Sequence, residues 1–271
     1  MLQLIYCGDT TIPLEAECIS PDVLCGKSIT EIAKLMIFHG NRQVPLGEFF
    51  KIEGDAHDGE IMVQGDCSRV KWMGAEMTFG RLTIEGNAGM HLGSEMRGGV
   101  IEVHGHAGDW VGAEMRGGRI HVHGNAGHLV GAAYRGSRKG MRGGAILIDG
   151  GAGNEIGASM RRGLIALGGP CGDFPGVSMI AGNIFLFNEV GQRPAAEMKR
   201  GTLAIFGPCP TLLPTFRFAC DYRPVFVDLF LQRLRAWQFA PARREFPGRF
   251  RRYCGDLVSL GKGEILHWLG D

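Results

Sequence analysis

Apolar and polar positions between residues 51 and 207 recur as a block. A head glycine is followed seven residues on by another glycine, then Glu-Met, then Gly-Gly, then an alternating Ile-x-Val segment. Two copies read GNAGMHLGSEMRGGVIEV from Gly86 and GHAGDWVGAEMRGGRIHV from Gly105. The head glycines are Gly65, Gly86, Gly105, Gly124, Gly150, Gly169 and Gly207, with Asn188 filling the one missing slot. Their spacing is 19 residues, apart from 21 between Gly65 and Gly86 and 26 between Gly124 and Gly150. A period near 20 with one short strand per unit is the mark of a solenoid. The 19-residue unit lacks the three near-equal hexads of left-handed β-helices. The pattern therefore predicts an all-β solenoid, a right-handed parallel β-helix of about seven turns.

Aligned on the head glycine, Met96, Met115, Met160, Met179 and Met198 fall in one column, joined by Met77 and Met141 once the insertions are counted. Two aliphatic columns follow, as in Ile101/Val103, Ile120/Val122, Ile146/Ile148 and Ile165/Leu167. In a parallel stack each column lies over itself at about 4.8 Å, so all three are expected to point inward. A methionine column also suits a soft metal, but methionine recurring with the fold's own period reads as core filling. Gly98-Gly99, Gly117-Gly118 and Gly143-Gly144 are the expected corners.

A rung cannot bury its face alone, so both ends need caps. Residues 1–50 and 208–271 do not repeat and are the expected N- and C-terminal caps around a repeat domain at 51–207. In the first, Leu2–Tyr6 reads as a strand, Ser28–Met36 as a helix with a capping box from Ser28 and Glu31, and Gly40-Asn41 as a turn. In the second, Phe226, Phe230, Leu234 and Trp237 make one helical stripe on 225–239, and the closing GDLVSLGKGEILHWLG reads as a hairpin.

Charge and motifs narrow the chemistry. Net charge is +1 over 271 residues, which gives no electrostatic reason to expect nucleic acid or an anionic membrane as partner. Eight dispersed cysteines form no CxxC pair, and MLQLIYCGDTTIP carries no leader pattern. Reduced thiols in the cytoplasm are expected. No GxSxG, P-loop or HExxH motif is present, and no catalytic residue is assigned. Around each methionine stand Glu76, Glu95, Glu114 and Glu197 before it and Arg97, Arg116, Arg142, Arg161 and Lys199 after it. Read as strand neighbours, they share the outward face. They form either a basic ladder for a polyanion such as an oligo-glutamate tail, centred on Arg116, Arg142 and Arg161, or a surface ion network, the commoner arrangement. The glutamate column lapses at Ala133, Ser159 and Ser178, which leaves Arg142 and Arg161 less neutralised. The insertion YRGSRKG, residues 134–140, offers Arg135, Arg138 and Lys139 for partner contact. His104, His121 and His123 are expected as an outward patch beside Glu102. With no standard zinc spacing, they read as exposed strand histidines and no metal is assigned.

The repeat unit resembles the C-terminal domain of the glutamate synthase large subunit, and more closely the C-type subunit of formylmethanofuran dehydrogenase. The second resemblance extends to the ends, through Pro13-Leu14-Glu15-Ala16, the SITEIAKL helix, HGNRQVPLGEFFKIEG, the insertion YRGSRKGMRGG and the closing GDLVSLGKGEI. It implies a β-helix subunit without catalytic residues or cofactor of its own. It implies assembly with a formyltransferase subunit, an amidohydrolase-like subunit that holds a binuclear metal site, and a further member of the complex. The carriers implied are methanofuran or methylofuran and tetrahydromethanopterin. Two branches fit: a bacterial formyltransferase/hydrolase complex releasing formate in formaldehyde oxidation, and an archaeal molybdenum or tungsten enzyme. The arginine-rich RREFPGRFRR favours the first. A stand-alone β-helix enzyme on saccharides would need paired carboxylates and exposed aromatics breaking the repeat, and no carboxylate pair does so.

Overall fold

The computed structural model describes residues 1–270. Its strands are β1 Leu2–Tyr6, β2 Leu14–Glu15, β3 Met36–His39, β4 Arg42–Pro45, β5 Phe50–Gly54, β6 Glu60–Gln64, β7 Val70–Lys71, β8 Arg81–Ile84 and β9 Val100–Val103. They continue as β10 Arg119–Val122, β11 Arg142–Ile148, β12 Arg162–Leu167, β13 Asn183–Leu186, β14 Arg200–Ile205, β15 Arg217–Tyr222, β16 Phe250–Gly255 and β17 Lys262–Trp268. Helices α1 Pro21–Leu24, α2 Ile29–Ala33 and α3 Val225–Ala236 are the α-helices among the described residues, so the chain is essentially all-β.

Thirteen of the described strands form one sheet, in the order β15-β16-β17-β14-β13-β12-β11-β10-β9-β8-β6-β1-β5, and β4-β3-β2-β7 form a second. Along the repeats the pairing is parallel and each strand meets its counterpart one repeat on. Ile101, Ile120, Ile146, Ile165, Ile184 and Leu203 lie in one continuous register. A second parallel ladder links Cys67, Ala88, Ala107 and Ala126, then Ala152, Cys171 and Val190. Each repeat thus touches its neighbours along more than one line.

The methionine column is fully buried at every position from Met77 to Met198, and so are the isoleucines stacked beside it. Gly99, Gly118 and Gly144 turn the chain into the strand at φ 79°, 83° and 85°, left-handed values that a Cβ resists. A Cβ there would also sit 2.6, 2.7 and 2.8 Å from the terminal methyls of Met77, Met96 and Met115. The second glycine of each pair is the floor on which the preceding rung's methionine rests.

One local expectation changes. Glu76, Glu95 and Glu114 sit at φ 55°, 54° and 53°, so Glu-Met-Arg is a corner and not a strand. The chain must swing there to carry the methionine inward. Glutamate and arginine of one rung therefore do not lie side by side on a strand face.

At the N-terminal end, β1 pairs parallel with β6 and antiparallel with β5, adding a strand that does not repeat. The capping box forms: the Glu31 amide donates to Ser28 Oγ at 3.3 Å, and the Ser28 amide donates to Glu31 Oε2 at 2.8 Å. The helix is shorter than its apolar spacing predicts, because Leu35 and Met36 lead into the β3–β4 hairpin, which turns at Gly40 with φ 62°. At the other end, the stretch expected as a hairpin holds one strand, β17, whose antiparallel partner β16 precedes it; β17 also extends the parallel ladder beyond β14.

Helix α3 does not plug the end of the stack. It lies along the flank, over the outer faces of β11 to β14. Leu147, Leu164, Phe185 and Ala204 from the sheet form a second buried cluster with Val227, Leu231, Leu234 and Phe239. Leu234 of the expected stripe is fully buried, and Phe230 meets the Phe185 ring at 5.5 Å.

Candidate functional site

The corner geometry sets the charged ladder. Each arginine pairs with the glutamate one rung back: Arg97 with Glu76 at 3.4 Å, Arg116 with Glu95 at 2.6 Å and Arg142 with Glu114 at 3.9 Å. Arg142 is thus not left open. The lapse at Ala133 falls instead on Arg161, for which no ion pair exists among the described residues; the buried Nε of Arg142 and of Arg161 alike has no hydrogen-bond partner. Arg161 lines a groove of about 600 Å³ with Arg138, Lys199, Glu197 and Asp256. Both carboxylates there are engaged. Glu197 accepts the Ser178 hydroxyl at 2.7 Å, and Asp256 accepts the Glu197 amide at 3.0 Å. The structure brings Arg138 of the insertion to Arg161 and places Arg116 and Arg142 elsewhere on the ladder.

The insertion is pinned at its root. Tyr134 stacks on Trp110 at 4.9 Å, and its hydroxyl lies 2.6 Å from Ser94 Oγ and 2.9 Å from His91 Nδ1. His91 in turn stacks on Trp72 at 4.2 Å. Burial pushes the Tyr134 phenol up to about 12 and lowers the His91 imidazole. Sequence reasoning missed this cluster; its signal is His91 and Trp110, each five residues after its head glycine, with Trp72 seven after Gly65. Beyond the root, Arg135, Arg138 and Lys139 are exposed.

The histidines divide differently from expectation. His104 and His123 are exposed, with rings 5.4 Å apart, but His121 is only 3 % exposed, shut in where Phe239 crosses the sheet. Asp149, absent from the expected patch, joins them. Its Oδ2 lies 3.1 Å from His121 Nε2 and 2.8 Å from His123 Nδ1, while His123 Nε2 lies 3.2 Å from Glu102 Oε1. Burial alone would lower the His123 imidazole, but the bonds to Asp149 and Glu102 outweigh it and raise it. Burial alone would raise the Asp149 carboxyl, and the two imidazoles hold it below its ordinary value.

Fold and surface together define an all-β repeat protein carrying charged columns. No family model matches the chain. The crystal structure of the formyltransferase/hydrolase complex (FhcABCD) from Methylorubrum extorquens in complex with methylofuran contains a chain of the same shape. The match covers 98% of both chains at 37% identity, with a TM-score of 0.91. The C-type subunit of tungsten-containing formylmethanofuran dehydrogenase 2 from Methanothermobacter wolfeii is 44% identical over 85 residues, 30% of this chain and 32% of that protein. The C-type subunit of molybdenum-containing formylmethanofuran dehydrogenase 1 from Methanothermobacter marburgensis is 46% identical over 90 residues, 33% of this chain and 22% of that protein. The match thus spans a third or less of these curated relatives. The chain belongs to the family of formylmethanofuran dehydrogenase C-type subunits.

Proposed function

We propose that this chain is a non-catalytic scaffold subunit of a formyltransferase/hydrolase complex that releases formate in tetrahydromethanopterin-linked formaldehyde oxidation. The observation that carries the reading is the likeness over 98% of both chains to a chain of the Methylorubrum complex. In this reading the parallel stack coils as a right-handed β-helix, the hand favoured for parallel crossovers. Its long rigid sides hold a formyltransferase subunit and an amidohydrolase-like subunit at fixed separation, and a further member completes the assembly. Methylofuran, tetrahydromethanopterin and a binuclear metal centre act at the partners. Eight free cysteines among the described residues agree with a cytoplasmic setting.

Co-expression with the partners tests this. The chain should co-purify at equimolar ratio, and alone it should show no formyltransferase, hydrolase or dehydrogenase turnover. Formyl-carrier turnover by the isolated chain would overturn the reading.

A second role follows for the ladder. The unpaired Arg161, grouped with Arg138 and Lys199, favours an anionic carrier tail running along that groove. Arg116 and Arg142 extend the same basic line but begin neutralised by Glu95 and Glu114. Arg135, Arg138 and Lys139 present the insertion to a partner.

A further inference from the structure

We propose that His121, His123 and Asp149 bind one divalent transition-metal ion of the Zn2+ class, at the seam between β10 and the segment that follows α3. Their three donor atoms lie within 4.8 Å of one another. Asp149 Oδ2 is 3.1 Å from His121 Nε2 and 2.8 Å from His123 Nδ1. Ligands at about 2.0–2.1 Å from a tetrahedral zinc sit roughly 3.3 Å apart, so movements of a few tenths of an ångström admit an ion. Two imidazoles and one carboxylate suit zinc and its neighbours and not the hard cations, which take oxygen ligands.

The surroundings are those of a metal site. A ligating histidine usually directs its other ring nitrogen to a carboxylate or carbonyl, which fixes the tautomer. His123 Nε2 meets Glu102 Oε1 at 3.2 Å, and Arg81 holds Glu102 at 3.4 Å. The second oxygen of Asp149 accepts the Ala240 amide at 3.4 Å. His121 is fixed by burial under Phe239, whereas the His123 side chain is 36% exposed and leaves an entry path and a fourth position for water. His123 and Asp149 directly follow the paired residues Val122 and Ile148, so the ion would tie two adjacent rungs to the C-terminal segment. His104 belongs to a second donor group, with Glu102, that shares His123; its Nδ1 is 3.0 Å from Glu85 and it lacks the buried anchor that His121 gives the first.

The test uses the full chain, stripped with a chelator and titrated with Zn2+ by calorimetry and with Co2+ by visible absorption. One ion per chain and tetrahedral cobalt bands are expected. His123→Gln and Asp149→Asn should each weaken binding more than about 100-fold, and Glu102→Gln about 10-fold, as for an outer partner. His104→Gln should leave the affinity unchanged. The exposed position of His123 keeps the test usable if the buried variants misfold, and melting of each metal-free variant checks that. Absence of stoichiometric binding would overturn the site. So would equal damage from His104→Gln and His123→Gln, which would assign the metal to the exposed histidines.

Discussion

Met115 concentrates the demands of the core at one position. Its side chain is fully buried and its methyl lies beneath Gly144 of the next rung. Met115→Asp would bury an unpaired carboxylate, one of the few changes that cost about 4 kcal/mol or more. The variant should unfold or aggregate, and melting close to that of the parent would refute the inward column. Asp256 works by the opposite device, a charge satisfied by backbone. It accepts the amides of Glu197 and Val258 at 3.0 Å each. Burial alone would raise its carboxyl; the nearby Thr215 hydroxyl and the amides of Val258 and Glu197 hold it below the ordinary value. The resulting stabilisation is present above the unfolded value near 3.9 and is lost as pH falls through the lower folded value. Asp256→Asn should therefore melt earlier than the parent at neutral pH, with the gap closing in acid. An equal gap at both pH values would show that ionisation of Asp256 adds nothing.

At the level of elements, the stacked arginine and glutamate corners separate a ladder that is already paired from one that is open. Exposed pairs such as Arg97 with Glu76 contribute little to stability, roughly 0–1 kcal/mol, so their loss should hardly shift melting. Changing Arg116, Arg142 and Arg161 together to Gln should leave assembly intact, lower turnover of the whole complex and flatten its salt dependence. Arg161→Gln alone should account for most of that effect, because it starts without a carboxylate partner. Unchanged turnover across salt would reduce the ladder to surface ion pairs. The strands were legible because the column Ile101, Ile120, Ile146 repeats with the fold's own period. The one-rung offset of the ladder was not, since nothing in the residue type marks Glu95 or Glu114 for a left-handed corner that glycine would normally fill. Asp149 escaped notice because the insertion separates it from the neighbours it aligns with. The burial of His121 did leave a trace. The outward column runs Thr83, Glu102, His121 and then turns apolar at Leu147, Ala166 and Phe185, where α3 and the segment after it cover the sheet.

For the whole molecule, the proposed β-helix raises the question of what a stack of near-identical rungs can do that a globular protein cannot. In such a solenoid rungs contact mainly their neighbours, so stability is nearly a sum over rungs and length can change without a change of fold. Length is then a functional variable if the chain holds two enzymes apart while a tethered carrier moves between them, because a tether's effective concentration depends on the span. Residues 86–104 make one complete 19-residue unit, from head glycine to the residue before the next. Deleting them joins Glu85 to Gly105, keeps every column in register and shortens the stack by about 4.8 Å. It also removes His91 and Ser94, so the root of the insertion loosens and a modest fall in melting temperature is expected. The shortened chain should still fold and still co-purify with its partners. Each partner's own half-reaction, assayed with free carrier, should be unchanged. Overall conversion of the carrier's formyl group to formate, which in the proposed reading needs both sites in register with one tether, should fall. Full coupled turnover from a well-folded, correctly assembled complex would mean that the stack sets no distance, and that its part in the assembly is adhesive only.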